Sequence, residues 1–142
     1  MQNKTQIFVN LPVKDLSKTI KFFTKLGFKF NPQFTDKNAT CMIIGENIFA
    51  MLLVEKFFKT FTKKKIINAK TSIEVLNGLA VDSRKKVDDM VNKAVKAGGK
   101  EPNKPQDHGW MYERDFQDLD GHIWGIFYMD ESKMPKEMKS KK

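Results

Sequence analysis

Apolar and polar positions along this chain follow one order that is used twice. "TQIFVNLPV" (5–13) alternates and is rich in β-branched and aromatic residues, which predicts a strand. Asp15 then stands where a helix cap belongs, and Leu16, Ile20, Phe23 and Leu26 follow at helical spacing until Gly27 stops the run. "FKFNPQFT", "ATCMIIG" and "NIFAMLLVE" read as three further strands, separated by the turn residues of "DKN" and "GEN". The first half is therefore βαβββ.

A connecting segment at 56–70 follows, in which Phe57, Phe58 and Phe61 predict a short helix. "TSIEVLNGLAV" reads as a strand, and Asp82 or Ser83 caps a helix carrying Val87, Met90, Val91, Ala94 and Ala97 up to the glycines at 98 and 99. "KEPNKPQDHG", "WMYERDFQ" and "HIWGIFYM" complete a second βαβββ, the last two joined by the tight turn "DLDG". The expected organisation is one α+β domain over 1–130: module one at about 4–55, a connector at 56–70, module two at about 71–130. A basic tail at 131–142 lacks apolar period and is expected to be disordered.

Composition narrows the class of protein. The chain has 142 residues, 40% of them hydrophobic, enough for one core-forming domain. No apolar run reaches the roughly 20 residues of a bilayer span, and the start lacks a secretory layout, so a cytoplasmic protein without a membrane partner is expected. The single cysteine, Cys41, rules out an internal disulfide framework and suits a small buried residue. The net charge of +9 is concentrated in "KTFTKKK" (59–65) and the tail. Neither segment carries a known nucleic-acid motif, so no specific nucleic-acid partner is expected.

The layout, together with "LPVKDLSKTIKFFTKLGFKF", "AGG" and "FQDLDGHIWGI", resembles the vicinal-oxygen-chelate superfamily of glyoxalase I, bleomycin-resistance proteins and extradiol dioxygenases. Within it the chain looks similar to glyoxalase-like proteins labelled predicted lactoylglutathione lyases. The resemblance covers roughly 5–130 and implies a curved, cup-shaped, eight-stranded mixed sheet with helices outside, and a homodimer. It also implies that metal-dependent members aim four His, Glu or Gln ligands at one divalent ion. Matched residue by residue, those positions hold Phe8, Phe49, Val75 or Leu76, and Gly125, none with a ligating atom. No metal and no cofactor are therefore expected.

Strand alternation says what lines such a cup. Phe8 and Asn10 share one face of the first strand while Ile7, Val9 and Leu11 take the other, which is expected to lie beneath the helix. Phe49 pairs with Met51 in the same sense, and Trp110, Tyr112 and Arg114 share a face opposite Glu113 and Asp115. The candidate ligand-binding set is Phe8, Asn10, Phe49, Met51, Trp110, Tyr112, Arg114 and Gly125, suited to a flat, partly aromatic molecule. Arg114 either pairs with a nearby acid or waits for a carboxylate or phosphate. Gly125 is expected to leave room for a ligand ring or for a neighbouring Phe8 or Trp110 side chain. His108 is either a general base or an incidental loop residue, and His122 is expected to face solvent or cap its hairpin. The expected function is small-molecule binding without a metal. The alternative is a metal-dependent lyase or dioxygenase of the same superfamily, and a third reading is a binding module that uses the basic connector.

Overall fold

The first alternating segment forms β1, Ile7–Val13, and Asp15 caps the helix after it by accepting from the Lys18 backbone N–H at 3.1 Å. The structure is a computed structural model that describes residues 4–139. The chain divides into two compact units, Met1–Ser72 and Ile73–Lys142, so the connector belongs with the first.

In the first unit α1, Leu16–Lys25, lays Leu16, Thr19, Phe22 and Phe23 into the core. Phe22 and Phe23 meet edge to face at 5.0 Å, and burying each ring contributes about 1.5–3 kcal/mol. The helix ends as its glycine predicts. Gly27 takes a φ of +102°, and the N–H groups of Gly27 and Phe28 return to the carbonyls of Thr24 and Phe23. β2 (Lys29–Asn31), β3 (Ala39–Gly45) and β4 (Ile48–Val54) complete a mixed sheet in the order β1-β4-β3-β2, with β1 parallel to β4. "FKFNPQFT" is only half strand, because Pro32 cannot donate to a ladder and Pro32–Phe34 turns into a 3₁₀ helix. Cys41 lies in this sheet with its sulfur buried, which pushes the thiol above its ordinary pKa. The connector starts as α2, Glu55–Phe58, and continues as a 3₁₀ turn, Lys59–Phe61.

The second unit repeats the order with β5 (Leu76–Ala80), α3 (Arg84–Lys96), β6 (Gln106–Asp107), β7 (Met111–Gln117) and β8 (Ile123–Met129). Its sheet runs β5-β8-β7-β6, again with the first strand parallel to the last. Ser83 is the α3 cap, accepting from the Lys86 N–H at 3.1 Å, and Gly98 at φ +111° closes the helix as Gly27 closes α1. "KEPNKPQDHG" contributes only the two residues of β6 and a bridge from Lys100 to Gln117, since Pro102 and Pro105 lack donors. The eight expected strands thus form two four-stranded mixed sheets. The tail, expected to be disordered, carries a 3₁₀ turn at Glu131–Lys133 and one helical turn, α4, at Lys136–Lys139, while 140–142 lie outside the described residues.

Asp118, in the turn between β7 and β8, holds the second core together. Its carboxylate is buried and accepts from the backbone N–H groups of Asp120 (3.0 Å) and His122 (2.9 Å) and from the Trp124 indole N–H (3.0 Å). Trp124 in turn stacks on Phe116 at 6.3 Å inside the core. Asp118→Ala should cost roughly 3 kcal/mol in urea unfolding by orphaning three donors, and Asp118→Asn clearly less because one acceptor oxygen remains. Equal losses for the two variants would contradict this account.

Candidate functional site

β7 sorts its side chains strictly between the two faces of its sheet. Tyr112, Arg114 and Phe116 turn towards α3, where the Tyr112 hydroxyl donates to Asp88 at 2.6 Å. Arg114 donates through Nε and Nη2 to both oxygens of Glu101 (2.9 Å each), through Nη1 to Asp88 (2.9 Å), and also to Asn92. Only 12% of its side chain is exposed, and these acids hold its pKa above the ordinary guanidinium value. Arg114 therefore takes the first of its two expected roles. The hydrogen bond from Tyr112, then Arg114, lowers the Asp88 pKa in return. Tyr112 and Arg114 do not line the open face, because their strand face is the one that α3 covers.

The opposite face of β7 carries Glu113 and Asp115, and there the sequence reading is corrected. Asp115 pairs with Gly125 of β8, and Gly125 pairs in turn with Gly78 of β5. A Cβ on Gly125 would lie 2.6 Å from Glu113 Oε2 and 3.1 Å from Asp115 Oδ1. Gly125 is thus the place where the two carboxyl groups fold over the sheet. Those two side chains take the space that a residue larger than glycine would need. Phe8 stacks on Phe49 at 4.8 Å, and Trp110 precedes β7 with its carbonyl accepting from the Asp130 N–H.

A cavity of about 530 Å³ opens over this spot. Its floor is Leu76, Gly78, Ile123 and Gly125, its acids are Glu113 and Asp115, and its wall is the strap 103–106. Asn103 ties the strap to Asp115 at 3.0 Å. Arg84 ties the far end to α3, with two bonds to Asp107 (2.8 and 2.9 Å) and one to the Gly109 carbonyl (3.0 Å), which holds the Asp107 carboxyl well below the usual range. Burial pushes the Glu113 pKa up, and the charge and hydrogen bonding of Asp115 push it further. The pair can hold a cation or a hydrogen-bond donor, and Glu113 can exchange a proton closer to neutrality than an ordinary carboxyl.

In the first unit Phe8, Asn10, Phe49 and Met51 share one sheet face, as alternation predicts, with Phe8 opposite Phe49 and Asn10 opposite Met51. Phe8 is 41% exposed, and the Asn10 amide donates to the Phe8 carbonyl. The implied metal centre finds no ligands here. Phe8 and Phe49 are cross-strand neighbours, and in the second unit the corresponding pair beside Gly125 is Gly78, not Val75 or Leu76. Among the described residues no three His, Cys, Asp or Glu side chains are grouped to hold a metal ion. The residues present do not fit a superfamily metal.

Comparison with known proteins agrees with the architecture. A hypothetical protein from S. aureus superposes with a TM-score of 0.75 at 32% identity, over 89% of this chain and 95% of that one. The family described as bleomycin resistance protein-like N-terminal matches residues 5–45. The chain has the vicinal-oxygen-chelate fold, and its first unit matches a bleomycin-resistance-like family. Two more distant superfamily members share the fold at 17% identity. A glyoxalase/bleomycin resistance protein/dioxygenase family enzyme from Burkholderia phytofirmans gives a TM-score of 0.71 over 86% of this chain and 96% of its own. A bleomycin resistance determinant encoded on the transposon Tn5 gives 0.62 over 89% and 99%. No curated protein sequence matches the chain.

Sequence reasoning placed Glu113 and Asp115 on one face and then passed over them in favour of the aromatic face. The missed signal was the acidic alternation "ERD" opposite a strand glycine. The pH dependence of Asp115→Asn tests the pairing. Because the folded state raises the Glu113 pKa, ionising Glu113 opposes folding as pH rises through its range. Removing the Asp115 charge should therefore stabilise the protein at neutral pH, with a gain that shrinks on acidification below the carboxylate range, as read by urea unfolding. A gain independent of pH would contradict the pairing.

Proposed function

We propose that this protein binds a small, partly apolar molecule bearing a protonated amine or similar donor in the cavity of its second unit, and that binding needs no metal. The observation that carries the reading is the pair of carboxyl groups folded over Gly125 in a cavity whose floor is otherwise apolar or bare backbone. A volume of about 530 Å³ lies within the roughly 300–1,000 Å³ of small-molecule sites. Gly125 leaves the space into which the two carboxyl groups fold, and acids gathered there favour a cation. Support also comes from the strap, which is fastened at Asn103 and Arg84 and so gives the wall a defined position before any ligand arrives.

This differs from the sequence expectation in which residues carry the site. In the second unit the polar anchor moves from Arg114 to Glu113 and Asp115, and the first-unit residues Phe8, Asn10, Phe49 and Met51 have no part in this reading. The alternative, a metal-dependent lyase or dioxygenase, requires ligands at positions where this chain has phenylalanine and glycine.

Calorimetry and thermal shift with 2-phenylethylamine and 3-phenylpropionate, which share a ring and differ in charge, test the proposal. The amine should bind and raise the melting temperature, and the carboxylate should not. Asp115→Asn should weaken amine binding about tenfold or more, the scale of a lost charge-assisted hydrogen bond. Equal binding of both probes, or an affinity unchanged by the substitution, would count against it. Stoichiometric nickel or zinc that confers lyase activity would favour the alternative.

A further inference from the structure

The connector of the first unit presents a second surface, independent of the cavity. Between 56 and 70 the chain has six lysines, no acid and no arginine. All six lysines are exposed, and among the described residues none forms an ion pair. Phe57 and Phe58 are half-buried, whereas Phe61, packed edge to face on Phe57 at 5.1 Å, is 69% exposed. Ile67, on the other side of the run Lys63, Lys64, Lys65, is 49% exposed. The segment is held in shape from both sides. The Thr60 hydroxyl donates to the Phe57 carbonyl at 2.7 Å, the Lys64 N–H donates to the Thr62 hydroxyl at 3.1 Å, and Asn68 caps the following turn through the Lys70 N–H at 3.0 Å.

We propose that this connector docks the protein on an anionic phospholipid surface. Six ammonium groups without an ion pair attract an anionic partner, and the two exposed apolar side chains flanking them would gain by burial against it. A bilayer interface offers both in one layer: phosphate and serine head groups meet the lysines while Phe61 and Ile67 enter the acyl boundary. A nucleic acid fits less well. Ile67 offers no face for a base to stack on, and both arginines of the chain, the residue suited to forked phosphate recognition, are committed to Asp107 and to Asp88 and Glu101. Among the described residues no helix is long and apolar enough to cross a membrane, and surface docking requires none. The proposal departs from the expectation of no membrane partner, which rested on the absence of a spanning segment.

The test is cosedimentation of the full chain with phosphatidylcholine vesicles with and without phosphatidylserine, at low and high salt. Binding should need phosphatidylserine and weaken with salt. The triple variant Lys63→Gln, Lys64→Gln, Lys65→Gln should lower partitioning roughly a hundredfold, at about fivefold per lysine. Phe61→Ser should lower it at least about tenfold. Both variants change exposed side chains, and unchanged melting temperatures confirm that the fold is intact. Equal binding to neutral vesicles, or partitioning unaffected by either variant, would overturn the proposal. So would binding to a single-stranded oligonucleotide, lost in the triple variant, with no vesicle binding by the natural chain.

Discussion

The anchoring of Arg114 to α3 is the constraint on which the second unit depends. Two acids, Asp88 on the helix and Glu101 just before the strap, hold one guanidinium that is almost wholly covered. A strand residue so fixed sets the face of every neighbour, because successive side chains in β7 must alternate. With Arg114, Tyr112 and Phe116 turned to the helix, Glu113 and Asp115 have only the open face. They are placed beside each other over the one position of β8 that has no side chain to displace them. Ion pairing on one side of the sheet thus creates the carboxyl pair on the other, and a one-residue slip would bury the acids under α3 and expose the core tryptophan's partner, Phe116.

Much of this architecture is legible in the sequence. Asp15, Gly27 and the spacing of Leu16, Ile20, Phe23 and Leu26 specify α1, and the capping and closing residues of α3 are of the same kinds. Periodicity also separates the two faces of β7 correctly. What it does not say is which of the two faces α3 covers, since both have half-buried members and the aromatic face suits a core as well as it suits a ligand. The sign of the choice lay in Arg114: an arginine with Asp88 and Asn92 one helical turn apart on a neighbouring helix has partners that only the tertiary fold brings near. Short pairings were equally hidden. β6 is two residues long, between prolines and an arginine clip, and no period can announce it.

The second unit carries glycines where metal-dependent superfamily members would carry ligands, and this changes what the fold can do at that place. In the first unit the corresponding pair, Phe8 and Phe49, is filled by stacked rings. In the second, Gly78 and Gly125 leave bare backbone, and the acids come from the neighbouring strand. A carboxyl pair gathered in this way is a different device from a metal centre. It contributes charge and a shareable proton without an ion, and its strength depends on how closely the two groups are held.

That closeness is measured most directly by carbon-detected NMR titration of the Glu113 side-chain carboxyl in the natural protein and in Gly125→Ala. Glu113 should titrate above the ordinary carboxylate range in the natural protein. In the variant, where the new methyl displaces the flexible end of Glu113 from over β8, it should fall back towards that range with the fold retained. A Glu113 that titrates normally in the natural protein, or one whose raised value survives Gly125→Ala, would contradict it.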